Sequence, residues 1–238
     1  MDLAQAMLAV AIVVVLVNAG YIGVRGQVIR SKYPEAGLPP ATSLAWGTLI
    51  AGLIAIAVGN TLTPHAGAAF EPAWGYGVAG AGTATLALGW IPLMIDVRTR
   101  KLPTELTAVI GAQVVVTWFI CWAATGFPLQ GLLGPVVATL LWLAPLSVGL
   151  AGGQVGKGDV RLAPVLGFAL GTMSVVAAVV GLALAFLMAG IAALQMRIRG
   201  AASQDRLALG PYMLVAAWGT WALGAVVPAL LLVTGVPG

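Results

Sequence analysis

Two aspartates in this chain could do chemistry together. Asp96 stands in Met94-Ile95-Asp96-Val97-Arg98-Thr99-Arg100-Lys101-Leu102-Pro103, and Asp159 in Gly152-Gly153-Gln154-Val155-Gly156-Lys157-Gly158-Asp159-Val160-Arg161-Leu162. Each closes or opens a long apolar segment among basic residues, and the only acid between them is Glu105. Two carboxylates can hydrolyse a peptide bond if they differ in protonation. The ionised one takes a proton from water, and the protonated one donates to the carbonyl oxygen. Carboxylates in contact resist ionising together, so the pair holds one proton and titrates as a unit. Asp2, at the terminus, and Asp205, beside Arg206, read instead as solvated loop residues.

Position bears on which aspartate does which. Asp96 ends a helical segment, where the dipole disfavours negative charge, and Asp159 begins one, where the dipole favours it. That argues for Asp159 as base and Asp96 as acid, while Arg98, Lys157 and Arg161 would pull both carboxyls the same way and leave the assignment open. Gly156 and Gly158 permit backbone geometry that other residues resist, and would let an extended substrate approach Asp159.

The elements that must carry these residues belong to a membrane protein. Hydrophobic residues make up 61% of the 238 and charged residues 8%, where a soluble domain carries about 25% charged. Apolar segments run over 3–22, 42–60, 75–95, 105–124, 132–150, 160–171, 173–196 and 210–234. The sixth is too short to cross a hydrocarbon core of about 30 Å. Residues 160–196 are therefore either one long helix, giving seven segments, or two helices broken at Gly171-Thr172, giving eight. Basic residues favour eight. With the N-terminus outside, all eleven Lys and Arg then fall on the inner side, as the positive-inside rule asks. The expectation is an all-α polytopic transmembrane bundle, one domain over 1–238, with both termini outside and both Asp loops cytoplasmic. The first segment lacks a basic n-region and reads as an uncleaved anchor.

Helix ends are marked. Pro39-Pro40 precedes the second segment, Thr104 is a candidate cap with Glu105 in the first turn of the fourth, and Gly210-Pro211 opens the last. The insert over 23–40 is too short to fold alone. The net charge of +4 sits next to apolar spans, which points to topology and lipid contact and away from nucleic acid.

Three blocks resemble those of the type IV prepilin peptidases, membrane aspartic proteases of the GxGD class. They are Asp96-Val97-Arg98-Thr99-Arg100-Lys101-Leu102-Pro103, then Gly156-Lys157-Gly158-Asp159-Val160-Arg161-Leu162, and Ala208-Leu209-Gly210-Pro211-Tyr212-Met213-Leu214. Arg161 stands where the family more often has Lys. The resemblance covers about 75–234. It implies Asp96 and Asp159 as the catalytic pair, with Gly156, Gly158, Pro103, Gly210 and Pro211 shaping the substrate site and its loops. It implies a prokaryotic cytoplasmic-membrane enzyme that removes a short basic leader from prepilins or pseudopilins, cutting after Gly ahead of a hydrophobic helix. Many members carry Cys-x-x-Cys pairs in an insert after the first span, linked to N-methylation. Here 23–41 holds no cysteine, so the resemblance is to a protease-only form without zinc, cofactor or methyl transfer.

Duller readings stand beside these. Asp96 and Asp159 could be interfacial charges that end helices, and the basic residues could serve topology alone. A different class, a small transporter or channel component, would use the aspartates in an ion path, but such acids belong near mid-span. His65 reads as solvated in the loop 60–74, Cys121 as packing, and Glu105 as a helix-start residue. Trp74, Trp118 and Trp122 fit an outer aromatic belt, and Trp46, Trp90, Trp142, Trp218 and Trp221 fit packing or a belt.

Overall fold

A computed structural model describes residues 3–62, 72–124, 129–199 and 208–234. Among the described residues there are eight α-helices: α1 (Leu3–Lys32), α2 (Ala41–Leu62), α3 (Pro72–Thr99), α4 (Thr104–Ala124), α5 (Leu129–Ala151), α6 (Lys157–Gly171), α7 (Val175–Ile198) and α8 (Gly210–Thr234). The apolar segments read from sequence match them one for one. The break at Gly171-Thr172 is present. Ser174 caps α7 by accepting from the Ala177 N–H at 3.0 Å, so 160–196 is two helices.

Helices α1 to α5 and α7 are each long and apolar enough to cross a membrane. The chain is thus an integral membrane helical bundle. Helix α6 has 15 residues, about 22 Å of rise, and is the shortest of the eight.

Two boundaries differ from expectation. Helix α1 continues ten residues past Ile22 to Lys32, so Arg25, Arg30 and Lys32 ride on a helix extension and not on a loop. The remaining insert holds a single 3-10 turn, Pro34–Ala36, closed by Gly37 at φ +53. The other difference is at α4. Pro103 takes the capping place, its carbonyl accepting from the Thr107 N–H at 3.1 Å, and Thr104 is the first helical residue. Glu105 does stand in the first turn. It also pairs with Lys32 at 2.7 Å and reaches Arg25 at 4.0 Å, tying α4 to the end of α1.

The bundle has two cores. Ile22, Leu44, Leu88, Ile91, Ile95, Leu106 and Ile110 fill the first, among α1 to α4. Trp142, Leu146, Leu162, Leu166, Met213, Leu214 and Trp221 fill the second, among α5, α6 and α8. Phe168 packs against both. Lipid offers apolar side chains no less than a protein core does, so small residues let helices approach and dispersion holds them. A Cβ on Gly167 would lie 2.7 Å from the Ala138 carbonyl oxygen, and one on Gly171 2.6 Å from Ala138 Cβ. That sets α6 close against α5.

The interface of α3 and α8 is keyed by indoles. A Cβ on Gly82 would lie 1.9 Å from Trp221, and one on Gly89 2.8 Å from Trp218. Gly82, Gly89 and Asp96 are each seven residues apart, two helical turns, and share one face of α3. The same face meets Gly210 at Asp96. Trp118 departs from the belt reading. It is 6% exposed, stacks on Trp122 at 4.9 Å, and donates from Nε1 to the Gly131 carbonyl at 3.1 Å. Trp142 is also core, donating to the Ala178 carbonyl at 2.9 Å. Cys121 is buried and free. Asn18, fully buried in α1, donates to Gln113 Oε1 of α4 at 3.0 Å, and Gln113 donates back to Asn18 Oδ1.

Candidate active site: two carboxylates at Gly210

Asp96 lies in the last turn of α3 and Asp159 in the first turn of α6. They are 3% and 7% exposed. They converge on the first residue of α8. A Cβ placed on Gly210 would sit 2.5 Å from Asp96 Oδ2 and 3.1 Å from Asp159 Oδ1. The two oxygens are therefore at most 5.6 Å apart, the sum of those distances. That is close enough for both carboxyls to touch one water or one substrate carbonyl.

Glycine at 210 is required by space. Its missing side chain leaves the place where the two carboxyls meet, and Leu102 Cδ1 comes within 2.6 Å of the same point. Pro211 follows inside the first turn of α8, where its fixed φ suits a helix start and its missing N–H costs nothing. Pro103 is buried and accepts from both the N–H and the hydroxyl of Thr107, at 3.1 and 3.2 Å. This starts α4 sharply after the Asp96 loop.

Gly156 and Gly158 act differently from expectation. Gly156 is extended, with φ −76 and ψ 148, a conformation open to any residue. The left-handed glycine in this loop is Gly153, at φ +69. Gly158 is needed for close packing: a Cβ there would lie 2.7 Å from Leu102 Cβ. The glycine lets the start of α6 press against the loop after Asp96, and this closeness brings the aspartates together. Leu102 is the residue that sequence reasoning missed. It touches Gly158 on one side and Gly210 on the other, and its only sequence signal is an apolar residue between Lys101 and Pro103.

The two carboxyls have unlike surroundings. Asp159 accepts from the Gly156 N–H at 3.3 Å, half of a capping box. The backbone amides of Gly210 and Leu209 also favour its charge. It thus sits at the starts of both α6 and α8, where unpaired N–H groups point at an anion. Burial raises its carboxyl above the usual range, and the three amides work against that rise. Asp96 Oδ2 is buried with no hydrogen-bond partner among the described residues, so it is open to a group that enters the cavity. This contrast supports Asp159 as the ionised member and Asp96 as the protonated one.

Neither aspartate forms an ion pair among the described residues. Arg98, expected to pull on both, points away: its Nη1 donates to the Ala36 carbonyl at 2.5 Å and the Gly37 carbonyl at 3.1 Å. Arg161 donates to Thr104 Oγ1 at 2.7 Å. The aspartates open onto a cavity of about 560 Å³ lined also by Arg100, Lys101, Leu102, Gln154, Gly156, Lys157, Gly158, Arg161 and Ala208. Among the described residues no three His, Cys, Asp or Glu side chains cluster as metal ligands. His65 and Asp205 lie outside the described residues, as do the side chain of Trp74 and most of the loop 60–74. Compared with protein-family models, with curated proteins and with solved structures, the chain matches none.

Proposed function

We propose that this protein is a membrane aspartic endopeptidase that removes the short basic leader from type IV prepilin-like proteins at the cytoplasmic face of a prokaryotic membrane. One observation carries the reading: Asp96 and Asp159, distant in sequence, aim one oxygen each at a single point over Gly210, at the edge of an apolar bundle. The resemblance of the three sequence blocks supplies the substrate class. The two-core bundle and the basic residues near the Asp loops fit eight membrane segments with these loops inside.

In this reading ionised Asp159 takes a proton from a bound water. The hydroxide attacks the scissile carbonyl, and Asp96 donates its proton to the carbonyl oxygen. The proton now on Asp159 goes to the departing amine as the carbon–nitrogen bond breaks. The diol gives its remaining hydroxyl proton to Asp96, and the pair is reset with one proton. The three amides at Asp159 hold its charge ready, and Leu102 and Gly210 hold both carboxyls in reach.

Co-expression with a tagged prepilin tests this. The parent protein is expected to shorten the prepilin. Asp96→Asn and Asp159→Asn are each expected to leave it full length while accumulating in the membrane at parental levels. Processing by either variant would sink the two-carboxylate mechanism.

A further inference from the structure

Asp96 sits where a helix is least able to hold it. Ile95 is the last buried apolar residue of α3, and a helix end frays unless something outside it holds the final turn. Three helical residues follow Asp96. Val97 is exposed, and Thr99 donates from its hydroxyl to the Ile95 carbonyl of its own helix at 2.8 Å. Among the described residues Arg98 is the one of the three whose side chain is bonded to another element, donating from Nη1 to the Ala36 and Gly37 carbonyls at 2.5 and 3.1 Å. Directly beyond, Arg100 is left-handed at φ +53, the one such residue other than glycine among the described residues. The chain bends there, and two residues later Leu102 reaches Gly158 and Gly210. The last turn of α3 is thus held between the carboxyl of Asp96 and a backbone bend that arginine resists.

The turn that receives Arg98 is itself anchored. Ala36 and Leu38 are buried in the first core. Arg30 Nε donates to the Leu38 carbonyl at 3.2 Å, so three successive carbonyls, 36 to 38, accept from two guanidiniums. Gly37 is left-handed, and a Cβ on it would lie 2.7 Å from Arg98 Nη1. Glycine is required there twice, by conformation and by the room the guanidinium takes. A charge kept only for topology needs no such seat, since any inner position satisfies the positive-inside rule.

We propose that Arg98 is a positioning residue for Asp96: by pinning the last turn of α3 to the 36–38 turn, it keeps the Asp96 carboxyl in reach of Asp159. Among the described residues Arg98 forms no ion pair with either aspartate, so it acts through the helix end that Asp96 shares. The effect on rate rests on the proteolytic reading, whereas the placement of the two side chains is a matter of geometry and is measured apart from it.

The test has two arms, both on purified full-length protein. In the first, Asp96→Cys and Asp159→Cys are combined with Cys121→Ala, and the rate at which methanediyl bis-methanethiosulfonate bridges the two cysteines is followed. Arg98→Met is expected to slow bridging about tenfold, as the proximity of the pair is lost. Gly37→Ala should slow it too, although every charge is kept, and Arg98→Lys should recover part of the rate. Arg30→Met, which releases the same turn from its other side, is the control and should leave the rate unchanged. In the second arm the parent aspartates are kept and turnover of a prepilin peptide is measured. Arg98→Met is expected to lower kcat about tenfold at unchanged KM, a part of the roughly 100-fold that a 1 Å misplacement costs, and Arg30→Met to spare kcat. Thermal unfolding in detergent sets a temperature at which every variant is folded. Bridging unaffected by Arg98→Met, or slowed as much by Arg30→Met, overturns the inference. So does an unchanged kcat in Arg98→Met, and the protease then stands without it. Bridging that slows as expected in a protein that cleaves no peptide brings down the protease reading alone.

Discussion

Gly210→Ala is the smallest change that addresses the carboxylate pair without touching a carboxylate. Gly210 does not adopt a left-handed backbone, so alanine meets no conformational objection there. Space is the whole effect. The new methyl would sit 2.5 Å from Asp96 Oδ2, 2.6 Å from Leu102 Cδ1 and 3.1 Å from Asp159 Oδ1. Ordinary contacts are about 3.5–4.0 Å, so each neighbour must give by several tenths of an ångström to more than one. The two carboxyls are thereby spread by about 1 Å. A misplacement of that size costs about 100-fold in rate, or about 2.7 kcal/mol of transition-state stabilisation. The assay is turnover of a prepilin peptide by purified protein, with kcat and KM separated. The expected result is a loss of about 100-fold in kcat with little change in KM. Overpacking also threatens stability, by about 1–3 kcal/mol, so thermal unfolding in detergent is followed in parallel. Gly89→Ala serves as the control: its methyl would meet Trp218 at 2.8 Å in the same interface, two turns from Asp96. It should lower the melting temperature and spare kcat. A folded Gly210→Ala protein with kcat within threefold of the parent would refute the convergence of the two aspartates at this residue.

Two further outcomes follow from the same geometry. Asp159 must be ionised to act as base, and burial raises its carboxyl above the ordinary range; the acid limb of the kcat/KM profile should therefore lie above the pH at which an exposed carboxylate titrates, and a limb at or below that pH would deny Asp159 the role. Asn18→Leu strands the half-buried Gln113 amide, which should cost about 1 kcal/mol, and adding Gln113→Leu should recover part of it; a double variant less stable than either single one, measured by denaturant titration in micelles, would count against the amide pair.

Helix positions were readable because membrane spans announce themselves by length and apolarity. The Gly171-Thr172 break between α6 and α7 was readable through charge placement. Helix α1 outran its apolar stretch because Arg25 and Lys32 find an acid on α4, a partner across the bundle that no local window contains. The two aspartates could be singled out by type and by their places at helix ends. Their meeting depends on Gly158 fitting against Leu102 and on Gly210 standing bare between them. Those are contacts between three helix ends, invisible until the chain is folded. The same holds for Trp118: its spacing suits a belt, but the Gly131 carbonyl and Trp122 draw it inside.

The dependence on α8 sets an order of birth. Both aspartates are synthesised well before Gly210, yet the residue that brackets them, and two amides that hold Asp159, come with the last helix. The indoles of Trp218 and Trp221 lie further still along that helix, and they fix how far it slides past Gly89 and Gly82. A nascent chain therefore holds its acids at the helix ends as an unfinished pair. A chain ending at residue 200 should insert and remain inert, and supplying α8 as a separate peptide should be what completes it. In the proposed protease, hydrolytic capacity would be withheld until synthesis is nearly over.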